Sequence, residues 1–191
     1  MFDLSNRSDF VKLAVLFESG MIVIAVAVGW LFGVEPQARC EWSFEAIGWG
    51  VLIAILMFGF FLLSFHFAIG PLRQMKQFLL ESLGPPLAAC RWYDLAAIAV
   101  VAGVSEELLF RGVLLPLVGK WVSSVLFGLA HFITPLYALL AGLAGLLLGE
   151  LLERSENLLA PIVAHGLYDF LAFVIVARAS GRSSASEHGS P

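Results

Sequence analysis

Charge is scarce in this chain. Only 14 % of its 191 residues are Asp, Glu, Lys or Arg, and the mean hydropathy is +0.90. Soluble domains carry about a quarter charged residues, so a soluble catalytic domain is excluded and no nucleic-acid partner is expected. Cysteine is nearly absent. Cys40 and Cys90 are the two present, neither has metal-ligand spacing, and the expected topology puts them on opposite sides of a membrane, so no disulfide is predicted. No H-E-x-x-H, no G-x-S-x-G and no glycine-rich phosphate cradle occurs, which removes the zincin, α/β-hydrolase and nucleotide-binding routes. No inverted repeat or pair of broken helices points to an ion carrier.

What the chain has is apolar sequence, 60 % of all residues. That leaves room for about six spans of roughly 20 residues each. The expected fold is an all-α polytopic membrane helix bundle, with spans at 11–33, 44–70, 92–117, 118–133, 136–152 and 158–176. The first run lacks a small-residue cleavage site and reads as a retained span. Between the second and third, 72–83 places Leu72, Met75, Leu79, Leu80 and Leu83 at helical spacing among Arg73, Lys76 and Glu81. It is too polar to span and suits an amphipathic helix in the interface, ended by Gly84, Pro85 and Pro86. Three units follow: 1–91 with two spans and the interfacial helix, 92–178 as a four-helix catalytic core, and 179–191 as a Ser/Gly-rich tail without periodicity, expected to be disordered. Arg7, Lys12, Arg73, Lys76, Arg91, Arg178 and Arg182 fall on one side, against Arg39, Lys120 and Arg154 on the other. The positive-inside rule puts both termini in the cytoplasm. Ala138, Ala141, Gly142, Gly145 and Gly149 form a small-residue stripe for close helix packing.

The stretch around Glu106, Glu107 and Arg111 breaks the apolar pattern. Ionisable groups at bilayer depth cost a few kcal/mol each, on the order of 2.5–3.5 on the mildest scales, and persist where they face a bundle interior or wet cavity. Glu107 and Arg111 are four apart and share a helix face, whereas Glu106 points about 100° away. His131 ends the fourth span, and His165 and Asp169 are again four apart on the sixth. Glu18 in the first span reads as a bundle-facing or interfacial side chain.

A Glu held by a His takes a proton from water and makes it a nucleophile toward a peptide carbonyl, and a second His stabilises the oxyanion. Alternatively, two His and a Glu hold Zn²⁺ with the other Glu as base.

In chain order, E-E-x-x-x-R at 106–111, F-x-x-x-H at 127–131 and H-x-x-x-D at 165–169 resemble the CPBP family of intramembrane proteases. That family includes the type II CAAX prenyl endopeptidases and bacterial bacteriocin-processing and self-immunity proteins. The resemblance covers 92–176. It implies an endopeptidase acting on a peptide or membrane-protein substrate in or beside the lipid bilayer. Glu106 is then the water-activating base assisted by His131, Glu107 and Arg111 orient the site, and His165 with Asp169 forms the oxyanion side. Zinc on Glu106, His131 and His165 and a metal-free glutamate mechanism both remain open. So does a non-proteolytic scaffold or bacteriocin immunity role on the same fold. Eukaryotic prenyl endopeptidases of the family have about eight spans and Asn where Asp169 stands. An ionised Asp cannot donate to an oxyanion. The short chain suits a bacterial cell membrane, where a prenylated substrate is not implied.

Overall fold

A computed structural model describes residues 6–187, with side chains through Gly181. Residues 1–5, the Arg182 side chain and the last part of the expected tail, 188–191, lie outside the described residues.

The chain opens with α1, Arg7–Phe32, whose first N–H groups are capped by the Asn6 side chain, and which ends at Gly33 in the left-handed conformation (φ 70°). Only glycine adopts that ending without steric cost. α2, Phe44–His66, is capped by the Ser43 hydroxyl. α3, Pro71–Phe78, passes through a π-helical turn at Leu79–Leu83 into α4, Gly84–Ala89. α5, Trp92–Glu107, runs on as a π-helical segment, Leu108–Leu114, into α6, Leu115–Ala130. α7 is Pro135–Ser155 and α8 is Leu159–Glu187.

Among the described residues, five helical stretches are long and apolar enough to cross a membrane: Arg7–Phe32, Phe44–His66, Trp92–Ala130, Pro135–Ser155 and Leu159–Gly181. Their outer faces carry exposed Leu16, Phe17, Ile55, Phe60, Val125 and Leu143, a surface that lipid covers without cost and water does not. The protein is an integral membrane bundle.

α1 and α5 run parallel. Arg7 donates to both Asp94 oxygens at 2.6 and 2.7 Å, and toward the other end Pro36, just past α1, abuts Gly112. α8 lies at the centre, packed against α2, α4, α5 and α7. Its approach to α5 requires two glycines: a Cβ on Gly103 would sit 2.8 Å from the Gly166 nitrogen. Backbones this close gain dispersion contacts that replace the absent hydrophobic drive in lipid.

The decisive local feature is Gly119, with φ 81° and ψ 161° inside the Trp92–Ala130 stretch. The chain reverses there. Phe110 and Phe127 are in ring contact at 4.9 Å, and the Ser123 hydroxyl donates to the Phe110 carbonyl at 2.7 Å. After the reversal 11 residues remain in α6, about 16 Å at 1.5 Å per residue, roughly half the hydrocarbon thickness. The fourth crossing expected at 118–133 is therefore a half-length return, and His131 ends at the depth of Glu106. α7 starts at that depth, since Gly128 abuts Ala138 and Gly142. The small-residue stripe serves this contact.

Two other expectations need correction, and the amphipathic segment gains a packing partner. Gly84, Pro85 and Pro86 do not end the interfacial helix; they form the first turn of α4, where a missing proline N–H costs nothing. The amphipathic segment docks into the bundle, burying Met75, Leu79 and Leu87 against Ala172 and Val176 of α8. Its polar side, with Arg73 and Glu81, stays exposed. Finally, α8 continues through 187 rather than ending near 176, and Gly84 lies against Ser180 of that extension. Cys40 and Cys90 are both free thiols near opposite ends of α5.

Candidate active site

Glu107 sits at the last turn of α5 and Arg111 in the π-helical segment that follows; they are 0 % and 2 % exposed. Arg111 Nη1 donates to Glu107 Oε1 at 2.8 Å, and its Nη2 donates to the Gly145 carbonyl at 3.0 Å. The guanidinium lies 4.4 Å from the Phe127 ring centroid, a cation–π contact that satisfies the charge in a dry setting. A π-helical stretch turns successive side chains further back than an α-helix does, a device common at functional sites.

The same Glu107 oxygen is 2.8 Å from His165 Nδ1. A carboxylate only accepts, so Nδ1 carries the proton. His165 Nε2 faces Asp169 Oδ2 at 3.5 Å. Arg111, Glu107, His165 and Asp169 thus form one buried chain linking the α5 segment to α8. The two i, i+4 pairs read from the sequence are both present.

Glu106 is also buried but points elsewhere. Its Oε2 lies 3.4 Å from His131 Nε2 and makes no hydrogen bond among the described residues. His131 Nδ1 donates to the Phe127 carbonyl at 2.9 Å, so in the neutral ring Nε2 carries a lone pair turned toward Glu106. The half-length return of α6 produces this meeting; a full crossing would carry His131 past it.

A cavity of about 430 Å³ opens beside these groups, between α2, α7, α8 and the α3–α4 segment. Its walls are largely apolar. His131, His165 and Asp169 are on the wall, with Tyr137 and Tyr168, whereas Glu106 stands behind His131. α2 and α7 barely touch, and the half-exposed Leu56, Phe60 and Leu143 flank the gap. The cavity therefore communicates sideways with the lipid.

The residues do not fit a zinc ion. Among those described, no three His, Cys, Asp or Glu side chains are placed to hold one. His165 directs Nδ1 to Glu107 and Nε2 to Asp169, and His131 commits Nδ1 to a carbonyl. The expected ligand trio of Glu106, His131 and His165 does not converge on a point.

Residues 86–171 match the family described as type II CAAX prenyl endopeptidase Rce1-like. The match spans a little under half of the chain, so the likeness is to that family over this segment. The matched segment holds all six motif residues, Glu106, Glu107, Arg111, His131, His165 and Asp169. The uncharacterized protein YpbD of Bacillus subtilis (strain 168) is 33 % identical over 75 residues, 38 % of this chain and 40 % of that one. The aligned part thus spans well under two thirds of that relative's length. No solved structure matches the chain.

One contact reaches the matched segment from outside it. The Ser105 hydroxyl, next to Glu106, lies 2.5 Å from Glu18 Oε2 on α1, a charge-assisted length. The sequence leaves Glu18 as a bundle-facing or interfacial side chain without a partner, because nothing in the spacing of two distant helices pairs residues 18 and 105.

Proposed function

We propose that the protein is an intramembrane endopeptidase in which Glu106, assisted by His131, activates water for attack on a peptide bond. The observation carrying this is the pair itself: a buried carboxylate oxygen without a hydrogen bond, 3.4 Å from an imidazole nitrogen whose lone pair faces it. A water bound at the apex of that pair donates one proton to Glu106 while His131 aligns its oxygen. Glu107 is assigned a holding role instead: its Oε1 accepts from both Arg111 and His165, while its buried Oε2 makes no hydrogen bond among the described residues. That chain holds α8 and the α5 segment in register, so the peptide carbonyl meets the water in a fixed geometry.

The substrate is a peptide or membrane-protein segment with an apolar portion that fills the cavity, arriving through the gap between α2 and α7. The end of the bundle bearing Arg7, Arg73, Lys76 and Arg91 is assigned to the cytoplasm of a bacterial cell, with both termini there. A partner-binding scaffold using the Ala138–Gly149 face is disfavoured, because Gly142, Gly145 and Gly149 are already covered by α6.

The test is cleavage of a membrane-protein library in proteoliposomes. Glu106→Gln keeps the shape, removes the base, and lowers kcat by about 10²–10⁴-fold. Full activity of that variant would refute the base assignment.

A further inference from the structure

Glu106 faces His131 at 3.4 Å, yet no hydrogen bond holds its Oε2 among the described residues. Its direction is therefore set by the helix that carries it. The hydrogen-bond repeat of that helix changes just beyond, where α5 gives way to the π-helical segment at Leu108, so regular helix geometry does not by itself fix the azimuth. Successive residues on a helix point about 100° apart. Ser105 and Glu107 thus lie on nearly opposite faces, with Glu106 between them. Glu107 is held on its side by Arg111 and His165, both at 2.8 Å. On the other side Ser105, 0 % exposed, meets Glu18 of α1 at 2.5 Å.

Glu18 stands near the middle of α1, half-buried. A carboxylate at that depth costs about 3 kcal/mol of insertion, which packing alone does not require. The neighbouring contact between α1 and the π-helical segment is apolar, with Ala25 closed against Leu109, Phe110 and Val113. The Ser105 hydroxyl has one proton and two acceptors in range, Glu18 Oε2 at 2.5 Å and the Ala102 carbonyl of its own helix at 3.1 Å. An ionised carboxylate is the stronger acceptor, so Ser105 donates to Glu18. A protonated Glu18 donates to the Ser105 oxygen instead, and the tie stays intact. Without Glu18 the hydroxyl falls back on the Ala102 carbonyl, a local bond that serine commonly makes within a helix. No buried group is then stranded, so little stability is lost. What is lost is the link between α1 and the last turn of α5.

We infer that Glu18 is a positioning residue for the Glu106 base: through Ser105 it pins one face of the last turn of α5, while Glu107 is pinned on the other, and Glu106 is held toward His131 between them. This rests on the protease reading above. α1 then belongs to the catalytic unit, although it lies outside the segment that carries the three motifs. Neither Glu18 nor Ser105 lines the cavity, so the pair acts on the rate and leaves substrate binding alone. The size of the effect follows from geometry, since a catalytic group displaced by about 1 Å loses on the order of 10²-fold in rate.

The experiment compares wild type, Glu18→Leu, Glu18→Gln, Ser105→Ala, the Glu18→Leu/Ser105→Ala double variant and Glu106→Gln, with kinetics on a cleaved peptide substrate in proteoliposomes and melting in detergent. Glu18→Leu should lower kcat by about 10–10²-fold, with KM nearly unchanged and no loss of melting temperature. Ser105→Ala should match it, and the double variant should be no slower than either, since both changes remove the same link. Glu18→Gln, whose amide still bonds the hydroxyl, should recover most of kcat. Wild-type kcat in Glu18→Leu, additive losses in the double variant, or a Glu18→Gln protein as slow as Glu18→Leu overturns the inference even if Glu106→Gln is inactive. A melting temperature that falls in step with kcat makes Glu18 a stabilising contact only and overturns it too. An active Glu106→Gln protein overturns the protease reading itself.

Discussion

Removing Arg111 tests how the site is held together. Arg111→Leu fills much of the space but leaves the Glu107 carboxylate, 0 % exposed, with His165 as its one remaining donor. Breaking a buried ion pair by deleting one partner costs about 3–5 kcal/mol, because the surviving charge stays desolvated. The lost contact with the Phe127 ring and the lost hydrogen bond to the Gly145 carbonyl, which keeps its place in the α7 helix, lie within that range rather than above it, since the three share one side chain. A bundle of this size loses about 2–4 °C of melting temperature per kcal/mol, so the variant should melt roughly 6–20 °C lower. Adding Glu107→Gln removes the stranded charge, and the amide oxygen still accepts from His165. The double variant should recover a good part of the loss. The assay is thermal unfolding in detergent, run as a double-mutant cycle with kcat measured alongside. A coupling near zero, or an Arg111→Leu protein as stable as wild type, would show that the pair is not what locks α8 to the α5 segment.

Two further outcomes are expected. Gly103→Ala pushes a Cβ to 2.8 Å from the Gly166 nitrogen, and backbone cannot swing aside. About 1–3 kcal/mol of stability should be lost, with kcat falling as Glu107 and His165 separate; wild-type melting and activity would refute the close-packing account. A membrane-impermeant maleimide applied to intact cells should label the exposed Cys40 and spare Cys90. Partial burial raises the pKa of both thiols, so less thiolate is present at neutral pH and labelling should quicken as pH rises through 8 to 9. Labelling of Cys90 instead would reverse the assigned orientation.

The chemistry was more legible than the architecture. Glu107 with Arg111, and His165 with Asp169, are spaced one helical turn apart, so their pairing follows from periodicity alone. The depth of His131 did not follow. Hydropathy sees 118–133 as apolar and says nothing about Gly119 at φ 81°, yet that single residue decides how far the returning helix reaches. Gly84, Pro85 and Pro86 misled for a related reason: proline stops one helix and starts another equally well, and composition does not reveal which. Met75 and Leu79 marked an amphipathic face correctly, but whether it meets lipid or α8 is a tertiary matter.

The reversal at Gly119 acts as a ruler. His131 meets Glu106 because the two arms of the hairpin are nearly equal in residue count, not because the bilayer has a particular thickness. The catalytic level should therefore travel with the protein from thin to thick membranes. By contrast, one extra helical turn inserted between Lys120 and Ala130 would displace the imidazole by about 5.4 Å and abolish the proposed activity while every span stays intact.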